Sequence, residues 1–189
     1  ISIDSFSKVL ILNCTFISNT AGRGAGIYIH GSSQVRIYSS NFSNNRGHGI
    51  DVQNSEASID ESSLSGNDGF GIYSRSSQII LTSSVIQNNN AANLSSSRST
   101  INITNSLFID TLGASNIRSS SGTMNITYST LDQIGLQDGP NLKLGSLDMT
   151  NIINSIIWSN DSLRQPIDLD TDSSSITYSN ILGGWSGIG

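Results

Sequence analysis

The sequence predicts an all-β protein, a right-handed single-stranded parallel β-helix of about eight rungs, each rung being one turn of the coil with three short strands. Two observations support this prediction. An apolar residue recurs every 22 to 26 residues, and another apolar residue always follows five positions later. Apolar and polar residues alternate around these positions, which is typical of strands. A near-constant period with aligned columns indicates a solenoid.

The aligned columns define the three strands of each repeat. The first strand carries position zero, which is Ile11, Ile37, Ile59, Leu81, Ile103, Ile126, Ile152 and Ile176. The second strand carries the apolar residue five positions later, which is Phe16, Phe42, Leu64, Ile86, Phe108, Leu131, Ile157 and Ile181. A third strand follows a glycine-rich turn, as at Ile27 to Ile29. Crossovers between parallel strands are almost always right-handed, so we expect one right-handed coil over residues 1–189.

A small polar residue stands three positions after position zero, between two inward apolar residues. This serine column consists of Cys14, Ser40, Ser62, Ser84, Ser106, Ser129, Ser155 and Ser179. Its hydroxyls should point inward and find partners in neighbouring rungs and in the backbone at the bend, because serine both donates and accepts hydrogen bonds. Cys14 is the single cysteine, which excludes an internal disulfide, and we interpret it as a buried small residue.

A second polar column lies eight positions after position zero. It consists of Asn19, Asn45, Asn67, Asn89 and Asn160, and stacked amides can bond to one another from rung to rung. Thr111 and Ile134 interrupt the column, so we expect it to be weakest in the fifth and sixth rungs. The turn that follows is glycine-rich in early repeats and reads AANL and ASNI later, which indicates that it tolerates Ala or Asn.

Composition and charge limit the classes of function. The net charge is −5 and the nine Lys and Arg residues are scattered, which argues against nucleic-acid binding through a basic stripe. No apolar run approaches the roughly 18 residues of a membrane span, and no signal peptide opens the sequence. A mature secreted fragment and a cytoplasmic protein both fit these absences.

Several segments resemble a known class of repeat. FISN at 16–19 and FSNN at 42–45, followed by GAGI and GHGI, are similar to the repeats of polymorphic outer-membrane proteins. NSIIWSN at 154–160 and ITYSNILGGWSGIG at 176–189 resemble the end coils of secreted bacterial β-helix proteins. The resemblance implies an extracellular or cell-surface β-helix, often adhesive. GRGAG in place of a clean GGA is a departure from the pattern of the first class.

Enzymatic chemistry on polysaccharides requires clustered carboxylates, with Ca²⁺ in lyases or as an acid pair in hydrolases. The acids here are thinly spread, so we predict no catalytic residues and interpret His48 as a turn residue. Asp168, Asp170 and Asp172 alternate along the chain and present hard oxygen ligands, so they are the candidate Ca²⁺ site if a cofactor is bound. A solvated outward face is the alternative interpretation.

The outward residues include candidate sites for glycosylation and for ice binding. Asn41, Asn102 and Asn125 each begin an N-x-Ser/Thr sequence and are expected to point outward, as glycan acceptors should. Asn160 also begins one but belongs to the inward column. Outward threonines are typical of ice-binding β-helices, but Thr is also simply a good strand residue. The loops at 134–142 and 160–166 are further candidates for function.

The leading hypothesis for function is a non-enzymatic structural or adhesive β-helix outside the cell. Since neither end shows a cap, its partners would be the flanking rungs of a longer β-helix or other copies that stack head to tail into a filament. Surface glycans are the other expected partners. The alternative is a carbohydrate-binding or carbohydrate-cleaving module. A sheet face that groups three or more acidic or basic side chains in a groove would favour the alternative.

Overall fold

The computed structural model describes residues 1–111, 115–133, 140–145, 149–159, 166–169 and 174–182. Within these residues every regular element is a β-strand, and no helix is long and apolar enough to cross a membrane. The strands, numbered β1 to β24 in chain order, form three eight-stranded parallel sheets. The predicted parallel solenoid with three strands per rung is confirmed.

The three sheets contain equivalent strands of successive rungs. The first sheet contains β2 (Lys8–Leu12), β5 (Gln34–Tyr38), β8 (Glu56–Asp60), β11 (Gln78–Thr82), β14 (Ser99–Thr104), β17 (Gly122–Thr127), β20 (Met149–Ile153) and β23 (Ser174–Thr177). The second contains β3 (Thr15–Ile17), β6 (Asn41–Ser43), β9 (Ser63–Ser65), β12 (Val85–Asn89), β15 (Leu107–Thr111), β18 (Thr130–Gln133), β21 (Ile156–Ser159) and β24 (Asn180–Ile181). The third contains β1 (Ser2–Ile3), β4 (Ile27–Ile29), β7 (Ile50–Gln53), β10 (Ile72–Arg75), β13 (Leu94–Ser97), β16 (Ile117–Ser119), β19 (Leu142–Leu144) and β22 (Ile167–Leu169).

The strand register keeps each sequence column in line. Ile11 pairs with Ile37 and Ile37 with Ile59 in the first sheet, while Phe16 pairs with Phe42 in the second. The inward apolar columns of the three sheets meet in one continuous core. The Phe16 and Phe42 rings stack with centroids 4.7 Å apart. Burial of each such side chain contributes about 1.5–3 kcal/mol, so stacking in register is the main source of stability.

One residue makes the bend between the first and second strands of each rung. It adopts a left-handed conformation with φ between +46° and +52° at Asn13, Ser39, Glu61, Ser83, Asn105, Tyr128, Asn154 and Tyr178. Asn tolerates this conformation and a bulky side chain does not favour it. Tyr128 and Tyr178 nevertheless occupy it, with their rings exposed to solvent. The bend turns the next residue, the serine of the column, inward.

Each column serine joins two rungs through its hydroxyl. Ser40 Oγ donates to the carbonyl of Tyr38 at 2.9 Å and accepts a hydrogen bond from Cys14 N at 3.1 Å. The same pair of bonds recurs at Ser62, Ser84, Ser106, Ser129, Ser155 and Ser179. Partners therefore come from the bend and from the neighbouring rung, and no hydroxyl of this column bonds to another.

Cys14 occupies the serine column but is half-buried rather than buried. Its Sγ lies 3.3 Å from the carbonyl oxygen of Leu12, which is the contact that the serines make with their own bends. The expectation of full burial is wrong because the described part of the chain covers Cys14 with a rung on one side only.

A second serine column, which the sequence reasoning missed, stands four residues before position zero. It consists of Ser7, Ser33, Ser55, Ser77 and Ser99, and the hydroxyl of each of the last four accepts a hydrogen bond from the backbone N–H one rung earlier at 3.1–3.2 Å. The column ends at Gly122, which pairs with Ser99 and has φ +107°. The recurrence of serine at this position was a signal visible in the sequence.

The asparagine column does not weaken where its sequence breaks. Asn19, Asn45, Asn67 and Asn89 bond in series, with Nδ2 of each of the first three donating to Oδ1 of the next at 2.8–3.0 Å. Asn89 Nδ2 then donates to Oδ1 of Asn93, and the series continues through Asn116 to Asn141. The predicted weak point is wrong because the residue before the third strand supplies the amide instead. Asn160 lies outside the described residues.

The glycine turn explains this exchange of positions. Gly49 and Gly71 precede the third strand where the next rung carries the column asparagine, and a Cβ there would lie 3.0 Å from Asn67 Nδ2 and 2.8 Å from Asn89 Nδ2 respectively. In later rungs Asn93, Asn116 and Asn141 take the glycine's place. Asn at this turn is thus an amide source and not merely a tolerated substitute.

Candidate ligand-binding face

The outward side of the third sheet carries most of the aromatic and basic residues that contact one another. Apolar residues such as Ile27 and Ile29 point inward, so the residue between them points out. Strand pairing aligns these outward residues into one column that runs Ser2, Tyr28, Asp51, Tyr73, Ser95, Arg118, Lys143 and Asp168. We call this surface the third-sheet face.

Three rings pack together at the centre of the third-sheet face. His48 stacks on Phe70 and on Tyr73, with centroid separations of 5.0 and 5.2 Å, and Phe70 lies 5.6 Å from Tyr73. Phe70 N donates a 3.1 Å hydrogen bond to His48 Nδ1, which requires that nitrogen to be unprotonated. Burial lowers the pKa of His48, and the nearby Asp51 carboxylate partly offsets this shift. His48 does lie in the turn, as predicted, and also fixes this cluster.

Arginine side chains cover the ring cluster. The Arg118 guanidinium carbon lies 4.8 Å from the Phe70 ring centroid, and that of Arg75 lies 6.0 Å from the Tyr73 centroid. Both distances are within the range of cation–π attraction. Arg118 reaches back toward Phe70 across β13, where the outward residue is the small Ser95.

A groove of about 590 Å³ lies beside this cluster. It is lined by Tyr73, Arg75, Arg118 and Lys143 together with small residues, chiefly serines. No acidic residue lines the groove among the described residues. Three basic side chains therefore meet in one groove of a protein whose net charge is −5.

Asp51 is a buried carboxylate in the same outward column, between Tyr28 and Tyr73. Burial raises its pKa, and the hydrogen bond that it accepts from Gln53 Nε2 at 3.1 Å opposes the shift. Tyr28 Oη contacts Gln53 Oε1 and accepts a 3.3 Å hydrogen bond from Arg23. The carboxylate is thus held beneath the surface rather than offered to a ligand.

Of the three candidate Ca²⁺ ligands, only Asp168 lies in the described part of the chain, so the calcium site stays a prediction. Asp168 lies on β22 with its Oδ2 3.9 Å from Lys143 Nζ, so its nearest charged partner is a cation. Asp170 and Asp172 fall outside the described residues. Within the described ranges, no three His, Cys, Asp or Glu side chains are close enough to hold a metal ion.

The three candidate glycan acceptors lie in different surroundings. Asn125 Nδ2 donates to Asn102 Oδ1 at 2.7 Å, and Asn151 Nδ2 donates to Asn125 Oδ1 at 2.8 Å. The nitrogen that a glycan would modify is therefore already bonded in Asn125. Asn41 lies half-buried on β6, and its side chain has no hydrogen bond among the described residues.

The outward threonines form only a short row. Thr82, Thr104 and Thr127 are in register in the first sheet, and the hydroxyls of Thr104 and Thr127 lie 3.1 Å apart. Asp60 precedes them and Ile153 follows them. The candidate loops 134–142 and 160–166 lie largely outside the described residues.

A family model described as the right handed beta helix region matches residues 1–182. No curated protein and no solved structure matches the chain significantly. The family contains both enzymes and non-enzymes, and the more specific similarity to polymorphic outer-membrane proteins stays a prediction. With the match covering nearly all of its length, the chain belongs to the family of right-handed β-helix proteins.

Proposed function

We propose that the chain is a glycan-binding β-helix that binds acidic saccharides in the groove of the third-sheet face. The observation that supports this proposal most strongly is the meeting of Arg75, Arg118 and Lys143 beside Tyr73 in one groove. The sequence-based criterion for a carbohydrate-binding or carbohydrate-cleaving module was a groove on a sheet face with at least three acidic or basic side chains. This groove contains three basic side chains.

The chemistry of the groove fits a sugar acid. Arginine binds carboxylates and sulfates with charge-assisted, often bidentate hydrogen bonds, while the Tyr73 ring offers a flat apolar surface beside them. Serine hydroxyls in the lining both donate and accept hydrogen bonds, so those that face the groove can exchange water for sugar hydroxyls. Lys143 already has the Asp168 carboxylate 3.9 Å away, so the acid groups of the ligand would chiefly supply a counter-charge to the two arginines.

The linear form of the groove fits an extended chain. Tyr73, Ser95, Arg118 and Lys143 are successive members of one column, spaced by about 4.8 Å per rung. An oligosaccharide lying along this column would meet a cation or a ring at several of its residues. The setting that we propose for such binding is extracellular or at a cell surface, where it would serve adhesion.

Calorimetric titration with a galacturonic acid tetramer tests the proposal, with the uncharged galactose tetramer of the same linkage as the matched ligand. We expect binding of the acidic tetramer only, weakened by added salt. Arg118→Gln should weaken it by about tenfold, the effect of roughly 1.4 kcal/mol. Arg36→Gln, on the outward side of β5, is the control and should leave the affinity unchanged. Equal binding of both tetramers, or equal loss in both variants, would overturn the proposal.

A further inference from the structure

A serine, a histidine and an aspartate are linked in series at one end of the third-sheet face. Ser2 Oγ lies 3.3 Å from His30 Nε2, and His30 Nδ1 lies 3.1 Å from Asp4 Oδ1. The order of contacts, hydroxyl to Nε2 and Nδ1 to carboxylate, is the one that a nucleophile, a general base and an orienting acid require. We propose that these three residues hydrolyse short acyl esters, with Ser2 as the nucleophile.

The fold holds the three side chains in place. β1 pairs with β4 so that Ser2 lies opposite Tyr28 in the outward column, and the His30 ring stacks on the Tyr28 ring at 4.4 Å. The Tyr28 ring stacks on the face of the imidazole and Asp4 contacts its Nδ1. These two contacts orient the ring with Nε2 toward Ser2. A triad is recognised by this geometry and these roles and not by the order of the residues in the chain.

Gly31 makes room for the carboxylate. Its φ is +70°, and a Cβ at this position would collide with Asp4 Oδ1 and lie 2.7 Å from Ser5 N. Only glycine therefore allows the backbone after His30 to pass so close to Asp4. The Ser7 hydroxyl donates to the Asp4 carbonyl and closes the same turn.

The reaction balances with water as the only co-reactant. Ser2 Oγ attacks the acyl carbon while its proton passes to His30 Nε2, and that proton then leaves with the alcohol as the ester bond breaks. Water attacks the acyl-serine ester, gives its proton to Nε2, and releases the carboxylic acid as Ser2 regains a proton. Asp4 keeps the proton on Nδ1 and stabilises the charged ring, so it is a positioning residue.

The exposure of the site indicates small acyl groups. Ser2 is exposed, and the side chains of His30 and Asp4 are 28% and 56% exposed. Long acyl chains need an enclosed apolar pocket, so acetyl esters of accessible alcohols fit these exposed side chains better. The site is separate from the arginine groove, and its activity does not depend on the glycan binding proposed above.

Covalent labelling tests this proposal. A fluorophosphonate should add one adduct, located by peptide mass spectrometry on Ser2, and p-nitrophenyl acetate should be hydrolysed by the unlabelled protein. Ser2→Ala should abolish the adduct and His30→Gln should slow labelling at least about tenfold. Ser58→Ala, at an outward serine of the first sheet, should label at the normal rate.

Two further readouts separate a chemical role from a structural one. The Nδ1–H proton signal of His30 should be visible in the NMR spectrum and lost in Asp4→Asn, while circular dichroism shows the fold of each variant to be intact. No adduct, an adduct on another serine, or a labelling rate that His30→Gln leaves unchanged in a folded protein would overturn the proposal. Hydrolysis of p-nitrophenyl acetate at the normal rate by a folded Ser2→Ala protein would overturn it as well.

Discussion

Asn89 Nδ2 donates a 2.8 Å hydrogen bond to Asn93 Oδ1, and this bond joins two different sequence columns into one ladder of buried amides. In the rungs up to Asn89, the amides come from the residue at or just after the end of the second strand. From Asn93 onward, they come from the residue that precedes the third strand. The interior of the coil therefore needs an amide at a fixed place in space. The chain can supply that amide from either of two positions.

Asn116→Ala should destabilise the protein. Asn116 Nδ2 donates to the Asp132 carbonyl at 3.0 Å and to Asn141 Oδ1 at 2.8 Å, and the residue is fully buried. Removing it leaves buried partners unsatisfied, which costs about 1–3 kcal/mol of unfolding free energy. Urea denaturation measures the loss. Asn90→Ala, at an exposed asparagine, is the control, and an equal effect in both variants would refute the role of the ladder.

Gly71→Ala should lower the stability of the fold, whereas Gly22→Ala should leave it unchanged. A Cβ at Gly71 would lie 2.6 Å from the Asn93 carbonyl oxygen and 2.8 Å from Asn89 Nδ2, whereas one at Gly22 meets nothing within 4 Å. Overpacking of this kind costs about 1–3 kcal/mol. Thermal unfolding of the two variants gives the comparison, and similar midpoints would show that the turn does not reserve space for the amide.

Thr150→Val should stabilise the protein. Thr150 is fully buried on β20, and its Oγ1 finds no hydrogen-bond partner among the residues that the structure describes. Valine has almost the same shape and removes the unsatisfied hydroxyl, which should raise the unfolding free energy by about 1 kcal/mol. Thr150→Ser keeps the hydroxyl and loses a methyl group, so it should lower stability. A Val variant no more stable than the wild type would contradict this account.

Acidification should weaken the ring cluster through His48. Burial lowers the pKa of His48 in the folded state, so the unfolded chain takes up the proton first, near its ordinary pKa of about 6.5. The neutral ring therefore stabilises the fold above that pH, and this contribution is lost as the pH falls through it. His48→Phe should reduce the decline in unfolding free energy between about pH 7.5 and about pH 5.5.

Asp51 provides the control for this pH dependence. Burial raises the pKa of Asp51, so its protonation in acid favours the folded state and acts in the opposite direction to His48. In the Asp51→Asn protein, the unfolding free energy should fall more steeply with decreasing pH. Replacing His48 in that protein should remove this fall. An unchanged decline in His48→Phe would show that another group is responsible.

The architecture was predictable because it repeats. The columns at Ile11, Cys14 and Phe16 recur in every rung, and a period is a signal that one sequence contains many times. The serine bonds followed from placing a hydroxyl between two inward apolar residues. The switch from Asn89 to Asn93 was not predictable, since it exchanges one column for another at a single rung.

The candidate site was not predictable because it does not repeat. Phe70 and Arg118 are far apart in sequence and occupy different positions of the repeat. The Arg118 guanidinium carbon nevertheless lies 4.8 Å from the Phe70 ring centroid, because β10, β13 and β16 are neighbours in the third sheet. The Ser2, Asp4 and His30 series similarly depends on β1 pairing with β4. Such contacts require the register of the third sheet, and the sequence columns show only its inward residues.

A crystal structure of the protein soaked with the galacturonic acid tetramer tests the central claim most directly. The account predicts density for the tetramer along the outward column from Tyr73 to Lys143, with a carboxylate of the ligand bonded to Arg118. The Arg118→Gln protein soaked in the same way should show no ligand there. Density confined to another face, or a groove left empty at ligand concentrations that saturate the protein in solution, would contradict the account.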